Sequence, residues 1–493
     1  MKKSVLSVMI LLTLLAALVF SAMTGHRVLS QTPVEAWVIA WEFTPSDDGQ
    51  VETLTTSGES EVLVDFPPGQ FANEAKVCGQ DSWAKDGSSV AIYTGAEEGN
   101  LTLFSLDGKT PVTLGKTHRM ACAGPTTFQF SPMREWIGYI NYKGESLNRD
   151  FPYGDLALFK AADGSLQTTF DWTTAFALYD DGALMLRFYP DGKGNATEAD
   201  LDWWSTSGQQ RNLTTLEPVY PPDKPDVECG FTSGAVARID NTAYVLTGQK
   251  CETGATNWRL VSVALDRGAV TEIATGVPRG GFFSGNFTTQ LIPTADEGGF
   301  LMAVPSGLAR NTVQLWWITV NGAVTPVLEG HHVIADRFGE RLSEGRHMMV
   351  APDGKTLAFV TSTANQEQTL WLLDLSKPGG TPVAVEEMGV NQRIFQYVWA
   401  ANNTLYFAAG SVEASSLKSV RPGESAQRIA RGRFFRVAVS YKGDKIATAE
   451  WYANPESVGD DLFKLTLFDT RGNTGILKQG DKTHNQIIPL AIK

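Results

Sequence analysis

The stretch MMVAPDGKTLAFVTS, Met348–Ser362, contains a short apolar run, a Pro-Asp-Gly turn and a second apolar run. This order is typical of two antiparallel strands joined by a tight turn. Gly354-Lys355-Thr356 also matches the end of a phosphate-binding loop. That loop needs another glycine five residues earlier, where Met349 stands, and a helix afterwards. The stretch therefore predicts a β-hairpin and no nucleotide site.

The same pattern recurs along the chain. A third strand ending in glycine follows each hairpin, as in LTLFSLDG (101–108), LWLLDLSKPGG (370–380) and LTLFDTRG (465–472). Eight such units of roughly 40 to 65 residues can be aligned, each with room for a four-stranded meander. The faces of such a sheet are buried only when neighbouring sheets pack against each other. We therefore predict an all-β fold, a single β-propeller of four-stranded blades, with eight blades favoured over seven.

The two ends of the propeller domain, 31–493, differ from the repeat. Residues 34–56 resemble the third and fourth strands of a blade without its first two. Residues 486–493, QIIPLAIK, resemble a lone strand. We expect these two segments to meet and close the ring.

The N-terminus carries an export signal. Lys2-Lys3 precede an apolar stretch without charge, Ser4–Met23. Residues 1–30 are therefore predicted to be either a cleaved signal peptide or a retained membrane anchor. In both cases the remaining chain is expected to be periplasmic or extracellular, with membrane contact only through residues 4–23.

The four cysteines are expected to form two disulfides, because an even number in an exported protein favours pairing over metal ligation. No two of them have C-x-x-C spacing. Cys78 and Cys122 are expected at equivalent places before the first strands of adjacent blades, which favours their pairing. Cys229 and Cys251 flank a hairpin and would join its open ends.

Residues 348–385 resemble the TolB-like (WD40-like, PD40) β-propeller repeat. They contain its Ala-Pro-Asp-Gly-Lys turn, its Leu-Ala-Phe strand and its Leu-Trp-Leu-x-Asp strand; residues 82–115 and 128–171 match in part. The resemblance implies a propeller of the kind found in periplasmic scaffold proteins and in prolyl-oligopeptidase-like peptidases. We expect neither the α/β domain of the first group nor the hydrolase domain of the second, and the repeat itself implies no particular function.

Composition and motifs limit the classes of function that the protein is expected to have. The net charge of −13 argues against nucleic acid as a partner. The sequence has no G-x-S-x-G, no H-E-x-x-H and no calcium-binding loop, so we predict no cofactor and no metal. The adjacent pairs Trp203-Trp204 and Trp316-Trp317 are expected to pack in the core, because both faces of a blade are covered.

The histidines indicate where binding would occur. Each of His118, His331, His332 and His347 precedes a first strand. In a propeller, the connections entering first strands and those joining second to third strands share one face, here called the loop face; the opposite face is called the turn face. Long connections expected at 189–200, 249–257, 305–313, 361–369 and 451–461 also fall on the loop face. Loops on a rigid scaffold commonly carry binding sites.

We therefore predict a non-catalytic exported β-propeller that binds a protein, peptide or cell-envelope component through its loop face. The first alternative is a hydrolase or lyase with a site assembled across blades at the central channel. Its candidate acid/base residues are His118, His347, Asp86 and Glu135. The second alternative is an extracytoplasmic sensor domain held at the membrane by the N-terminal segment.

Overall fold

A computed structural model defines the fold for most of the chain. It describes residues 36–44, 49–66, 74–78, 83, 87–106, 110–122, 127–142, 152–191, 193–220, 227–254, 256–276, 289–305, 312–329, 331–335, 348–453, 461–480 and 486–493. The predicted export segment, 1–30, lies outside these residues. In the described part, no helix has the length and apolar content needed to cross a bilayer.

The described residues form 36 β-strands and a short 3-10 helix, Arg119–Cys122. The first strands in chain order are β1 (Trp37–Phe43), β2 (Gly49–Thr55), β3 (Ser60–Phe66), β4 (Glu74–Val77), β5 (Ser89–Gly95), β6 (Glu98–Ser105), β7 (Val112–His118), β8 (Phe128–Phe130), β9 (Trp136–Tyr142), β10 (Gly154–Lys160), β11 (Leu166–Tyr179) and β12 (Gly182–Pro190). They are followed by β13 (Ala196–Ser205), β14 (Gln210–Leu216), β15 (Cys229–Ile239), β16 (Thr242–Cys251), β17 (Thr256–Ala264), β18 (Val270–Gly276), β19 (Gln290–Pro293), β20 (Gly299–Pro305), β21 (Thr312–Thr319), β22 (Val324–Pro326), β23 (His332–Ile334) and β24 (Met349–Val350). The last are β25 (Thr356–Ser362), β26 (Gln368–Asp374), β27 (Val383–Met388), β28 (Arg393–Trp399), β29 (Leu405–Gly410), β30 (Ser415–Val420), β31 (Gln427–Gly432), β32 (Phe434–Val439), β33 (Lys445–Ala453), β34 (Asp461–Asp469), β35 (Thr474–Gln479) and β36 (Gln486–Ile492).

The described strands form nine four-stranded antiparallel units. Four units are separate sheets, three lie within the 11-stranded sheet (β8–β18), and two lie within the 9-stranded sheet (β19–β27). β11 is shared by two units, and β23 is an extra strand between the two units of the 9-stranded sheet. We number the units in chain order, from β1–β3 with β36 as unit one to β32–β35 as unit nine. The predicted all-β propeller fold is thus confirmed. The described strands make one unit more than the eight predicted, because the closing sheet is a complete unit in addition to the eight aligned repeats.

The closing sheet has the order β3-β2-β1-β36. β1 runs antiparallel to β36, with Val38 opposite Ile492 and Phe43 opposite Gln486. The expectation for residues 34–56 was wrong in one respect: they supply the second and third strands, and β3 is the fourth. β3 was missed because it is an outer strand whose residues 60–65 are all exposed or half-buried, so it lacks the apolar pattern of an inner strand.

Hydrophobic cores lie between neighbouring units. First strands of neighbouring units contact each other around the centre. The buried clusters combine residues of successive units, as Phe359 and Leu301 do between units six and seven. Most fourth strands contribute one side chain to these cores from a β-bulge, which is an extra residue that increases the local twist of the strand. The bulged residue is aliphatic in seven units, namely Leu63, Leu114, Leu213, Ile273, Val385, Ile429 and Leu477.

The Pro-Asp-Gly stretch forms the predicted turn, between β24 and β25. Gly354 has φ of 74°, a conformation that glycine adopts without steric cost. The Asp353 carboxylate accepts the N–H of Lys355 at 2.9 Å and the side-chain N–H of Asn403, in the next unit's turn, at 3.0 Å. The turn therefore closes one hairpin and links two units on the turn face.

Candidate functional site

The loop face contains shorter connections than the sequence predicts. β12 extends to Pro190 and β13 begins at Ala196, so most of the expected loop 189–200 is strand. β16 and β17 similarly reach into the expected loop 249–257. The long strands form because alternating residues continue to pack on neighbouring units up to the face. Residues 306–311 and 454–460, in two other expected loops, lie outside the described part of the chain.

His118 lies at the loop-face end of β7, in unit two. Its Nδ1 accepts the backbone N–H of Met120 at 3.2 Å, and its side chain is almost fully buried. Burial, assisted by the nearby Arg119 charge, lowers the pKa of this imidazole. His118 is therefore neutral at physiological pH, and its Nδ1 is occupied by the hydrogen bond from the Met120 backbone.

The other histidines of the predicted binding face lie on the opposite part of the ring. His331 precedes β23, and its ring meets the edge of Trp371 at 6.0 Å between centroids. The backbone of His332 is in β23, which pairs with both β21 of unit six and β25 of unit seven. His347 lies outside the described residues. His331 and His332 are consecutive in the chain, and His118, in unit two, lies four units away from unit six.

The cysteines form the two predicted disulfides, Cys78–Cys122 and Cys229–Cys251. Cys229 and Cys251 are directly opposite each other in β15 and β16, so this bond joins the open end of the hairpin at the loop face. The expected equivalence of Cys78 and Cys122 was wrong. Cys78 continues the first strand of unit two, whereas Cys122 ends the 3-10 helix before unit three, because the first strand of unit two begins earlier in the sequence.

A cleft of about 580 Å³ opens on the loop face between units four and five. The β12–β13 connection forms one wall, and the start of β15 with the Cys229–Cys251 bond forms the other. At the base of the cleft, one pair of strand residues, Ala196 with Phe231, joins the two units. The volume of the cleft is in the range typical of ligand sites in proteins.

The cleft has a charged rim. Lys193 of unit four forms an ion pair with Glu228 of unit five across the opening, and this carboxylate raises the pKa of the Lys193 ammonium. Lys250, Glu252 and Asp191 also line the cleft. The Asp191 carboxylate accepts the backbone N–H groups of Lys193 and Asn195, each at 2.8 Å, which fixes the connection as a turn. Both signs of charge are therefore presented within one cleft.

Buried hydroxyl groups line the inner side of the same region. Thr174, Thr232, Ser233 and Thr289 lie on or beside the first strands of units four, five and six, and are at least nine-tenths buried. Among the residues that the structure describes, the hydroxyl oxygen of each has no hydrogen-bond partner. Thr232 also lines the cleft. Because a buried hydroxyl without a partner costs free energy, a ligand or ordered water that bonds to it is favoured.

This region was missed by sequence reasoning. Its signal is the segment CGFTSGAVARI of β15, in which Thr232-Ser233 interrupts the buried, mainly apolar part of a first strand. Polar residues in a strand covered on both faces indicate either an internal hydrogen bond or a ligand. Hydroxyl residues are common in strands, however, and only the structure shows that these two lack partners.

Among the residues that the structure describes, the candidate acid/base residues of the enzyme alternative do not lie close together. Glu135 is exposed in the turn before β9, on the turn face, whereas His118 lies at the loop face. Asp86 and His347 fall outside the described residues. No group of three or more His, Cys, Asp or Glu side chains within the described ranges is arranged to hold a metal ion.

The Trp pairs pack against the sheets. Trp204 and Trp317 are almost fully buried, and Trp317 donates its indole N–H to the Gly380 carbonyl at 2.9 Å. Trp203 and Trp316 are half-buried. These positions agree with the predicted core role.

Comparison with solved structures gives the fold and no specific activity. The structure resembles the crystal structure of a eukaryotic initiation factor with a TM-score of 0.50 at 12% identity, over 93% of this chain and 98% of that one. The C-terminal WD40 domain of Sif2 matches at 0.42 and 11% identity over 77% and 94% of the two chains. A prolyl endopeptidase matches at 0.42 and 9% identity over 81% of this chain and 55% of that one. No protein-family model and no curated protein matches the sequence.

Proposed function

We propose that this β-propeller is a non-catalytic exported protein that binds a protein, peptide or cell-envelope component at the loop-face cleft between units four and five. The observation that carries this proposal is the Thr232 hydroxyl, which lines the cleft and is buried without a partner. The charged rim supports it, since Lys193, Lys250, Glu228 and Glu252 offer ion pairs of both signs to a polypeptide or zwitterionic ligand. The paired cysteines are typical of an oxidising, extracytoplasmic compartment.

The positions of the chain ends support a particular orientation of the propeller relative to the membrane. Trp37 and Lys493 exchange backbone hydrogen bonds. They lie where the other units have the turn between their first and second strands. Residue 36 is therefore at the turn face. We propose that in an anchored form, which also suits a sensor, the loop face points away from the membrane. After cleavage the same face is equally open.

The proposal is tested by affinity capture from cell-envelope extract. The cleft variant combines Lys193→Glu and Lys250→Glu, which reverses charge at the rim. The matched control combines Lys355→Glu and Lys442→Glu, two exposed lysines in turns on the turn face. The net change in charge is the same in both variants, and circular dichroism melts establish that both are folded.

We expect wild type and control to recover the same specific component and the cleft variant to lose it. The double variant reverses two rim charges that would face the ligand, so a loss of roughly tenfold or greater in recovery is expected. Equal recovery by all three proteins would exclude the cleft. Loss in the control with retention in the cleft variant would move the binding surface to the turn face.

A further inference from the structure

The short 3-10 helix Arg119–Cys122 lies at the loop-face end of units two and three, between β7 and β8. Ala121 and Cys122 are buried and belong to the hydrophobic cluster between these two units. Met120 packs against the next cluster, which lies between units three and four. The helix therefore contacts two neighbouring seams, and we call it the seam helix.

The seam helix is held at both ends. At its C-terminal end, Cys122 is bonded to Cys78, which continues the first strand of unit two. At its N-terminal end, the Nδ1 of His118 accepts the backbone N–H of Met120 at 3.2 Å. An acceptor side chain just before a helix commonly satisfies such an N–H, which has no partner within the helix itself. His118 therefore acts as the N-terminal cap of the seam helix.

This cap requires a neutral imidazole. A neutral imidazole has one acceptor nitrogen and one N–H group, whereas the protonated ring has two N–H groups and no acceptor. Because Nδ1 accepts the Met120 N–H, the proton of the neutral ring is on Nε2. Protonation of His118 would direct a second N–H group at that of Met120 and remove the cap.

Charged groups on three elements surround the His118 ring. Burial, followed by the positive charge of Arg119 in the seam helix and that of Lys76 in β4, lowers the pKa of the imidazole. Glu97 and Glu98, where β6 begins, act in the opposite direction. Glu98 is directly opposite His118 in the pairing of β6 with β7. The net effect is a pKa below the ordinary value of 6.5.

The elements around β7 contribute further titratable groups. They are Lys116 in β7 itself, Glu74 in β4, Tyr93 in β5, and Tyr139 and Tyr142 in β9. Glu74 pairs with Lys76 at 3.0 Å and balances its charge. The three tyrosines stay uncharged in acid, because burial raises the pKa of each phenol. Imidazole is the side chain of this set that ordinarily changes charge between pH 7 and 5.

Asp191 caps another connection of the loop face in a way that mild acid does not remove. Its carboxylate accepts the N–H groups of Lys193 and Asn195, each at 2.8 Å. These hydrogen bonds, that from Asn195 foremost, lower the pKa of the carboxyl group, so the carboxylate stays ionised in mild acid. A histidine cap instead loses its acceptor in the range where imidazole titrates.

We propose that His118 makes the seam helix a pH-sensitive switch on the loop face, capped at neutral pH and released in mild acid. When the ring is protonated, the first turn of the helix loses its cap and Met120 leaves the cluster between units three and four. The Cys78–Cys122 bond keeps the other end attached, so the change is confined to the loop face. This inference goes beyond the proposed function, since the cleft lies between units four and five.

The direction of the pKa shift gives the expected dependence on pH. Because the pKa of His118 is lowered, the folded state binds this proton less tightly than the unfolded chain does. The contribution of the neutral cap to stability is therefore complete above about pH 6.5 and is lost as pH falls through the folded pKa.

Hydrogen exchange of the full chain at pH 7.5 and pH 4.5 tests the inference, with a reductant added after quenching so that peptides covering residues 119–122 can be recovered. Protection factors are compared, since the intrinsic exchange rate also changes with pH. The matched variant is His118→Asn, whose Oδ1 can accept the Met120 N–H in an Asx turn and does not titrate. The turn at 191–195, capped by Asp191, is the internal control.

We expect protection of residues 119–122 in wild type to fall roughly tenfold at the lower pH, which corresponds to the loss of one hydrogen bond. His118→Asn and the control turn should keep their protection. Thermal melts establish that the variant is folded, and the wild-type comparison decides the inference by itself if it is not. Unchanged protection in wild type, or an equal fall in folded His118→Asn, would overturn the inference.

NMR of wild type labelled at histidine Cε1 provides a second readout. The His118 resonance, identified by its absence from the variant, should titrate with a midpoint below pH 6.5 and together with the loss of protection. A resonance that titrates while protection of residues 119–122 stays constant would show that protonation does not release the seam helix.

Discussion

At the scale of single residues, the junction between units nine and one depends on Lys478. Its ammonium lies 2.7 Å from the Glu42 carboxylate and 2.6 Å from that of Glu52. Both carboxylates are almost fully buried, whereas the lysine side chain is 29% exposed. Gln50 adds a hydrogen bond to Glu42 at 3.1 Å. One cation therefore compensates two buried anions where the two ends of the propeller domain meet.

Replacing Lys478 with methionine should destabilise the protein by about 3–5 kcal/mol, because it removes the cation that pairs with both buried carboxylates. Chemical denaturation measures this loss. The matched control is Lys418→Met, which removes a 2.6 Å pair with Glu386, a single and more exposed carboxylate. We expect a smaller loss there. Equal losses would show that the double pairing has no special role.

The same variant should change the dependence of stability on pH. Burial raises the pKa of Glu52 above 4.5, against the opposing effect of Lys478, so the folded state binds this proton more tightly than the unfolded chain. Stability from this group is greatest at low pH and falls as pH rises through the folded pKa. Without Lys478 the pKa rises further, so the Tm of the variant should recover on lowering pH from 8 towards 5 more than that of wild type.

At this scale, residue pairs with an interpretable spacing could be predicted from the sequence, and the other pairs could not. The two disulfides could be predicted because cysteines are few and their environment limits their chemistry. Lys478 and Glu42 are 436 residues apart in sequence, and nothing in their local sequence separates them from surface charges.

At the scale of strands, side-chain hydrogen bonds join the first strands of neighbouring units. Gln129 in β8 donates to the Phe176 carbonyl at 2.8 Å and accepts the Leu178 N–H at 3.0 Å, both in β11. Gln396 in β28 accepts the Val437 N–H of β32 at 2.8 Å. These bonds satisfy backbone groups at the inner edge of each sheet, where no further strand is available for pairing.

Replacing Gln129 with alanine should cost roughly 2–4 kcal/mol, because two backbone groups lose their partners. Gln396→Ala, which removes one such bond, should cost about half as much. Denaturant titrations of both variants test this difference. A Gln129→Ala protein as stable as wild type would mean that water replaces the glutamine at no cost.

Strand prediction succeeded where the residues carry a strong local signal. The turns, with their Asp and Gly residues, and the apolar inner strands were identified from the sequence. The fourth strands were harder, because they lie at the outer edge and bury mainly their bulged aliphatic residue. β3 was missed for this reason, and with it the completeness of unit one, which explains the difference between eight and nine units.

At the scale of the whole molecule, the ring has two faces that differ in construction. The turn face contains the turns linked by contacts such as Asp353–Asn403, together with residues 36 and 493. The loop face contains the cleft, together with His118 and His331. The propeller fold was predictable because it repeats. The proposed cleft site was not, because it occurs at one seam between two units.

Hydrogen exchange measured by mass spectrometry, with and without the partner captured from envelope extract, tests the central claim most directly. The account predicts slower exchange on binding in peptides covering residues 191–195, 228–232 and 250–252, which contain the cleft walls. Peptides covering the turns at 351–354 and 401–403 should be unchanged and serve as internal controls. Protection confined to those turns, with none at the cleft, would contradict binding through the loop face.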